Sequence, residues 1–167
     1  NFGGGIISDS GGFQVMSVIK SGNIPGKITD EGAIFYPTKK IRKILTPEKS
    51  IEFQMQIKSD MVIVLDDFTD PKSDYNEAKK TVERTIVWAK RSKTEFEKIC
   101  RKKKLRPYLL GVVQGGKFQD LRKYCTQELV KIGFDGLGYG GWPMDEGGKF
   151  DFESAETIAE NSPKNYF

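Results

Sequence analysis

Histidine is absent from this 167-residue chain. Its absence removes imidazole acid–base catalysis, Ser-His-Asp and Cys-His relays, and most transition-metal sites. Proton transfer is left to Asp and Glu, and recognition to Ser, Gln, backbone and aromatic rings. Cysteine is nearly absent: Cys100 and Cys125 stand far apart without Cys-x-x-Cys spacing. That argues against a disulfide framework and a zinc knuckle, and predicts two reduced thiols on helices. No apolar run approaches the roughly 18 residues of a membrane span. Asn1-Phe2-Gly3-Gly4-Gly5 has neither the basic region nor the apolar core of a signal peptide, so a cytoplasmic, non-membrane protein is expected. No Gly-x-Gly-x-x-Gly or P-loop follows a strand, and no internal repeat is visible. The start at Asn1 rather than methionine predicts a fragment or a trimmed chain.

What is present describes a water-soluble domain. Hydrophobic residues make up 37% and charged ones 30%, enough for one real core or for part of a larger one. The net charge of +4 suits a polyanionic partner without establishing one.

Short apolar runs alternate with longer charged segments. Strands are predicted at Gly4–Ser8, Asp60–Leu65, Tyr108–Val113 and Phe134–Tyr139. The middle two are apolar on both faces, as in buried parallel strands. A helix is predicted over 76–104, where Ala78, Val82, Ile86, Ala89, Phe96 and Cys100 form one stripe. Others are expected over 117–131, ended by Gly133, and over 152–160.

Thr46-Pro47-Glu48 reads as a helix start, yet Ile51, Phe53, Met55 and Ile57 alternate as in a strand. The cap favours helix, because the next strand follows within two or three residues. Residues 27–43, with an Asp30-Glu31-Gly32 turn, read as an inserted β-hairpin. Regular strand–helix alternation means βαβ units on a parallel sheet, and four strands are about half of a (β/α)8 barrel. An open doubly wound sheet is the other option.

Each predicted strand stops at residues suited to a site, where α/β enzymes keep their chemistry. The first ends in Asp9-Ser10-Gly11-Gly12-Phe13-Gln14. The second runs into Asp66-Asp67, the third into Gln114-Gly115-Gly116, and the fourth into Gly140-Gly141-Trp142. Guanine shows two donors, N1–H and the 2-amino group, beside the O6 acceptor. A carboxylate satisfies both donors, while an amide or backbone N–H satisfies O6. Asp66 can be that carboxylate, Gln114 the amide, Gly141 the backbone donor, and Phe13 the stacking ring. Plainer readings stand beside these. Asp9 could cap a helix, Ser10 could bond only backbone, Gly140-Gly141 could serve only a turn, and Trp142 could be core.

Taken together, Ser8-Asp9-Ser10-Gly11-Gly12-Phe13-Gln14, Leu45-Thr46-Pro47-Glu48-Lys49-Ser50, Glu83-Arg84-Thr85, Gly111-Val112-Val113-Gln114-Gly115-Gly116 and Gly133-Phe134-Asp135-Gly136 resemble the tRNA-guanine transglycosylase family in order and rough spacing. The resemblance covers nearly the whole chain. It implies a (β/α)8 barrel that exchanges guanine in tRNA for a free 7-deazaguanine base, on a nucleotide flipped from the stack. It implies Asp9 as the proton-transferring carboxylate. Asp66, Gln114 and Gly141 would meet the base edge and Phe13 its face. Gly140, Trp142 toward the 7-substituent, and Ser10 on a phosphate or sugar would complete the substrate site, with Glu146 steadying the Gly-Gly turn.

The chain departs from the family pattern in places. Asp66-Asp67-Phe68 stands for Asp-Glu-Cys, and Trp142-Pro143 for a Leu-Ala type pair. The family's nucleophilic Asp and its structural zinc ligands have no counterpart here, so the expectation is a barrel piece over 1–167, inactive by itself and without a cofactor of its own. Partners expected are tRNA, the free base, and a homodimer or heterodimer. A DNA-acting paralogue and a non-catalytic RNA-binding subunit are the alternatives.

Overall fold

A computed structural model of the chain describes residues 3–104, 106–144 and 147–166. Four strands form a parallel sheet: β1 (Ile7–Ser8), β5 (Met61–Ile63), β6 (Tyr108–Val113) and β7 (Gly136–Tyr139), hydrogen-bonded in that order. Ile7 pairs with Met61, Met61 with Tyr108, and Leu110 with Gly136, so every neighbour is parallel. The order never reverses along the sheet. The fold is therefore α/β with a parallel sheet.

Helices α2 (Pro47–Gln56), α3 (Tyr75–Lys103), α4 (Gln119–Ile132) and α5 (Phe152–Glu160) pack side by side in sequence. One contiguous core joins Ile51, Val82, Ile86, Phe96, Leu121, Leu129 and Ile158 from these helices to Val62, Val64, Leu109 and Val113 of the sheet segments. Each such large apolar side chain contributes about 1.5–3 kcal/mol on burial. Among the described residues no helix is long and apolar enough to cross a membrane.

Local chemistry explains the helix ends. Asp74 caps α3 reciprocally with Glu77: its carboxylate accepts from the Glu77 N–H at 2.9 Å, and Glu77 accepts from the Asp74 N–H at 3.2 Å. Thr46 caps α2, with Pro47 in the first turn. The strand-like alternation of residues 51–57 is resolved by burial. Ile51 and Met55 are buried one turn apart, whereas Phe53 and Ile57 face solvent.

Two elements differ from expectation. A helix α1 (Gly12–Lys20) follows β1, started where the Ser10 hydroxyl accepts from the Gly12 N–H at 3.2 Å. Residues 27–43 belong to three antiparallel strands rather than two: β2 (Gly26–Thr29), β3 (Gly32–Thr38) and β4 (Ile41–Leu45). The β2–β3 turn docks on α3. The Trp88 indole N–H and an Arg91 N–H both donate to the Asp30 carbonyl, at 2.9 and 2.8 Å.

Gln54 of α2, almost wholly buried, acts as a surrogate peptide unit beside β5. Its amide donates to the Ile63 carbonyl at 2.8 Å and accepts from the Ile63 N–H at 3.0 Å. It also accepts from the Ser8 hydroxyl, and Ser50 beside it donates to the Ser10 carbonyl at 2.8 Å. This network fixes the Asp9-Ser10 loop on the end of β1.

Candidate functional site

The carboxyl ends of β1, β5, β6 and β7 surround a cavity of about 430 Å³. That volume lies in the range of small-ligand sites. Its floor is Ile63, Leu110, Val112 and Gly138, and its rim carries Asp9, Ser10, Phe13, Asp66, Phe68 and the 139–143 loop. Asp9, Ser10, Phe13, Asp66, Gly140, Gly141 and Trp142, singled out in the sequence, thus meet at one place. Glu146 lies outside the described residues.

Asp66 and Asp67 divide their tasks. Asp67 is buried on the α3 side. Its N–H donates to the Thr85 hydroxyl at 3.0 Å, and its carboxylate pairs with Arg84 at 2.5 Å. Arg84 also pairs with Asp30 at 3.0 Å, and these two acids hold it in the charged form against burial. Asp66 faces the cavity and has no cation within ion-pair distance among the described residues. Desolvation by burial raises its pKa to about 6, assisted by the negative charges of Asp9 and Asp67 and opposed by the Gln114 hydrogen bond.

The raised value has a defined sign. The folded protein binds this proton more tightly than the unfolded chain does. The contribution to stability is complete below about pH 4, declines as pH rises to about 6, and is lost above it. Asp66→Asn should therefore gain on the order of 2–3 kcal/mol over the parent on going from pH 4 to pH 7.5. Urea unfolding of both proteins at the two pH values measures this difference.

Gln114 lies behind the cavity wall, fully buried, rather than on its lining. Its carbonyl oxygen accepts from the Thr69 N–H at 3.0 Å, which fixes the amide so that the NH₂ group donates to Asp66 at 2.5 Å. Gln114 positions the Asp66 carboxylate. A donor could not face Thr69 N–H, so the amide has one orientation only.

Arg122 was not legible as a site residue, although it is 1% exposed and sits beneath the glycine turns. Its guanidinium donates to the carbonyls of Gly116 at 2.8 Å, Gly140 at 3.1 Å and Val113 at 3.3 Å. It also stacks over the Tyr139 ring at 4.1 Å. In a trans peptide the C=O and N–H point opposite ways. With the Gly140 carbonyl turned to Arg122, the Gly141 N–H points away from it, and this N–H has no acceptor among the described residues. Gly141 sits at φ 90°, a conformation glycine adopts without strain. At Gly140 a Cβ would stand 2.6 Å from the Gln114 amide nitrogen. The signal for Arg122 was its place among Leu121, Cys125 and Leu129, a charge on a buried helix face.

The aromatic rim is open. Phe13 is 49% exposed and meets Phe68 edge-on, ring centroids 5.3 Å apart. Trp142 is 56% exposed, so it is not core, and it borders both this cavity and a neighbouring one of about 250 Å³. Asp9 is exposed, its carboxylate accepting from the Ser10 N–H at 2.7 Å. It lines the cavity without capping α1.

These residues do not fit a metal. Among the described residues no three His, Cys, Asp or Glu side chains are grouped to hold one. Cys125 is buried in the core, and Cys100 lies on α3, so neither supplies the zinc site that the family resemblance implies.

The queuine tRNA-ribosyltransferase family model matches residues 1–166. The chain is 42% identical over 142 residues to the queuine tRNA-ribosyltransferase of Mannheimia succiniciproducens, covering 84% of this chain and 35% of that protein. Identity to the Haemophilus influenzae (strain PittEE) protein of the same name is also 42% over 142 residues, with the same coverage. The Thermotoga petrophila protein of that name is 39% identical over 161 residues, 96% of this chain and 41% of that one. The chain thus spans little more than a third of the length of the curated relatives it matches.

Proposed function

We propose, for a chain that belongs to the queuine tRNA-ribosyltransferase family, that its cavity holds a guanine-type base while guanine in tRNA is replaced by a 7-deazaguanine. One observation carries this reading: Asp66, without a cation among the described residues, is oriented by Gln114 at the wall of a cavity that Gly141 also lines. The Asp66 carboxylate accepts N1–H and the 2-amino group. The Gly141 N–H is the donor for O6, and Gln114 acts from behind the wall by orienting Asp66. Phe13 lies along the base plane, and Trp142 bounds the edge toward the 7-position.

In the exchange the bond from ribose C1′ to the guanine nitrogen is broken and one from C1′ to the incoming base nitrogen is formed; the leaving base takes up a proton at that nitrogen, and the incoming base gives one up. Asp9, at the cavity rim and in water contact, is the group that carries it. The reading extends to architecture. A parallel sheet whose order never reverses, with helices α2 to α5 in one layer, is what consecutive strands of a (β/α)8 barrel produce. A doubly wound sheet has a reversal point instead.

The test is equilibrium binding of free bases to the purified chain. Guanine and 7-deazaguanine should bind, and adenine should be rejected, because its N1 presents an acceptor to a carboxylate. Only ionised Asp66 accepts both donors, so guanine affinity should hold above about pH 6 and fall about tenfold per pH unit below it. Equal binding of adenine and guanine, or a flat pH profile, would remove the basis of the assignment.

A further inference from the structure

The antiparallel sheet inserted after α1 is polarised. Its β2–β3 turn carries Asp30 and Glu31, and α3 consumes that end. Arg84 pairs with Asp30, and Arg91 donates to the Asp30 and Glu31 carbonyls. The opposite end is basic. From Gly32 to Pro47 the chain contains Lys39, Lys40, Arg42 and Lys43 and no acid. All four are exposed at or beside the β3–β4 turn. Lys27 of β2 is exposed on the same sheet. Among the described residues none of these five has an ion-pair or hydrogen-bond partner for its side chain.

Unpaired like charges in one small sheet repel one another, so this arrangement costs the folded state rather than stabilising it. Its position gives it a use. α1 begins beside the cavity at Phe13, and its far end packs on the sheet, where a Cβ at Gly26 would stand 2.7 Å from Ile19. The helix covers about 13 Å at 1.5 Å per residue. From Phe35, opposite Gly26, to Lys40 the strand adds about 15 Å. With about 5 Å more for the Ile19–Gly26 step and about 5 Å between paired strands, the basic turn lies no more than about 40 Å from the cavity, within the span of a folded RNA.

The other basic cluster is only partly paired and differs above all in position. Lys98 is paired with Glu95, and Arg106 with Asp135. It sits where α3 leads into the amino end of β6, on the side of the sheet away from the cavity.

Resting on the tRNA-directed reading above, we propose that the β3–β4 turn is a second, electrostatic contact for the phosphodiester backbone of the RNA whose base enters the cavity. The test compares the parent chain with K39Q/K40Q/R42Q/K43Q. Binding of a short fluorescent RNA stem-loop is measured across a salt series, and 7-deazaguanine binding in parallel. The variant should bind RNA about tenfold or more weakly at moderate salt, with the log–log salt slope reduced by about 3. Its 7-deazaguanine affinity should match the parent's.

Neutralising Lys98, Arg101, Lys102 and Lys104 instead should leave the RNA slope at the parent value. An unchanged slope in the β3–β4 variant overturns the proposal, and so does an equal loss in the α3 variant. Loss of binding to phosphatidylserine vesicles with RNA binding intact also overturns it. If 7-deazaguanine fails to bind either protein, the base-pocket reading falls, while the RNA comparison still decides the role of this turn.

Discussion

Asp66→Asn should weaken guanine and 7-deazaguanine binding on the order of a thousandfold, while making the protein more stable at neutral pH. The two effects have one origin. Asparagine keeps an oxygen that accepts from Gln114, so the wall of the cavity survives. Its NH₂ group, however, meets the N1–H and 2-amino donors of the base, and donor faces donor. Sites built around specific hydrogen bonds reject such mismatches by roughly 10⁴-fold in the strongest cases. The uncompensated charge that raises the Asp66 pKa to about 6 disappears, and with it the stability penalty above that pH. Isothermal titration with 7-deazaguanine and urea unfolding at pH 7.5 read the two halves. A variant that binds the base as the parent does would show that Asp66 is not the recognition group.

The second large effect is expected at Arg122. Arg122→Ala should destabilise the fold by roughly 3–5 kcal/mol, from the cavity left by a fully buried side chain and from carbonyls left without donors. The Gly116 and Gly140 carbonyls lose their donor together, while Val113 keeps the Gly140 N–H at 2.9 Å. Arg122→Lys should recover part of the loss, since one ammonium can reach one or two of these oxygens but cannot fork among three. Denaturant midpoints of the three proteins give the ranking. A loss below about 1 kcal/mol for the alanine variant would mean that the glycine turns hold their shape unaided.

Much of the architecture was legible because local signals and burial agree. The Asp74–Glu77 box and the long apolar stripe specify α3, and Thr46-Pro47 settles α2 against its own alternation. α1 was not visible. Gly11 at its cap and Gly12 at its first position lower its propensity, and it is held by tertiary contacts such as buried Met16. β4 was hidden because Arg42 and Lys43 interrupt its apolar alternation.

The site was legible as a set of strand ends. The division of labour within it was not. Sequence spacing places Gln114 after a buried strand, but it does not say that the amide turns back to Thr69 and Asp66. Nor does Asp66-Asp67 reveal which acid meets Arg84. That depends on which side of the strand end α3 lies.

That last arrangement has an outcome for how this chain can vary. A helix-borne guanidinium pairs with Asp67 and does not reach its neighbour. The side chain that meets the neighbour is a neutral amide, and among the described residues the neighbour has no cation. A new cation introduced across the cleft would quench it at once, firming the fold while closing it to uncharged heterocycles. Gains in robustness at this spot and loss of ligand capture are thus the same event.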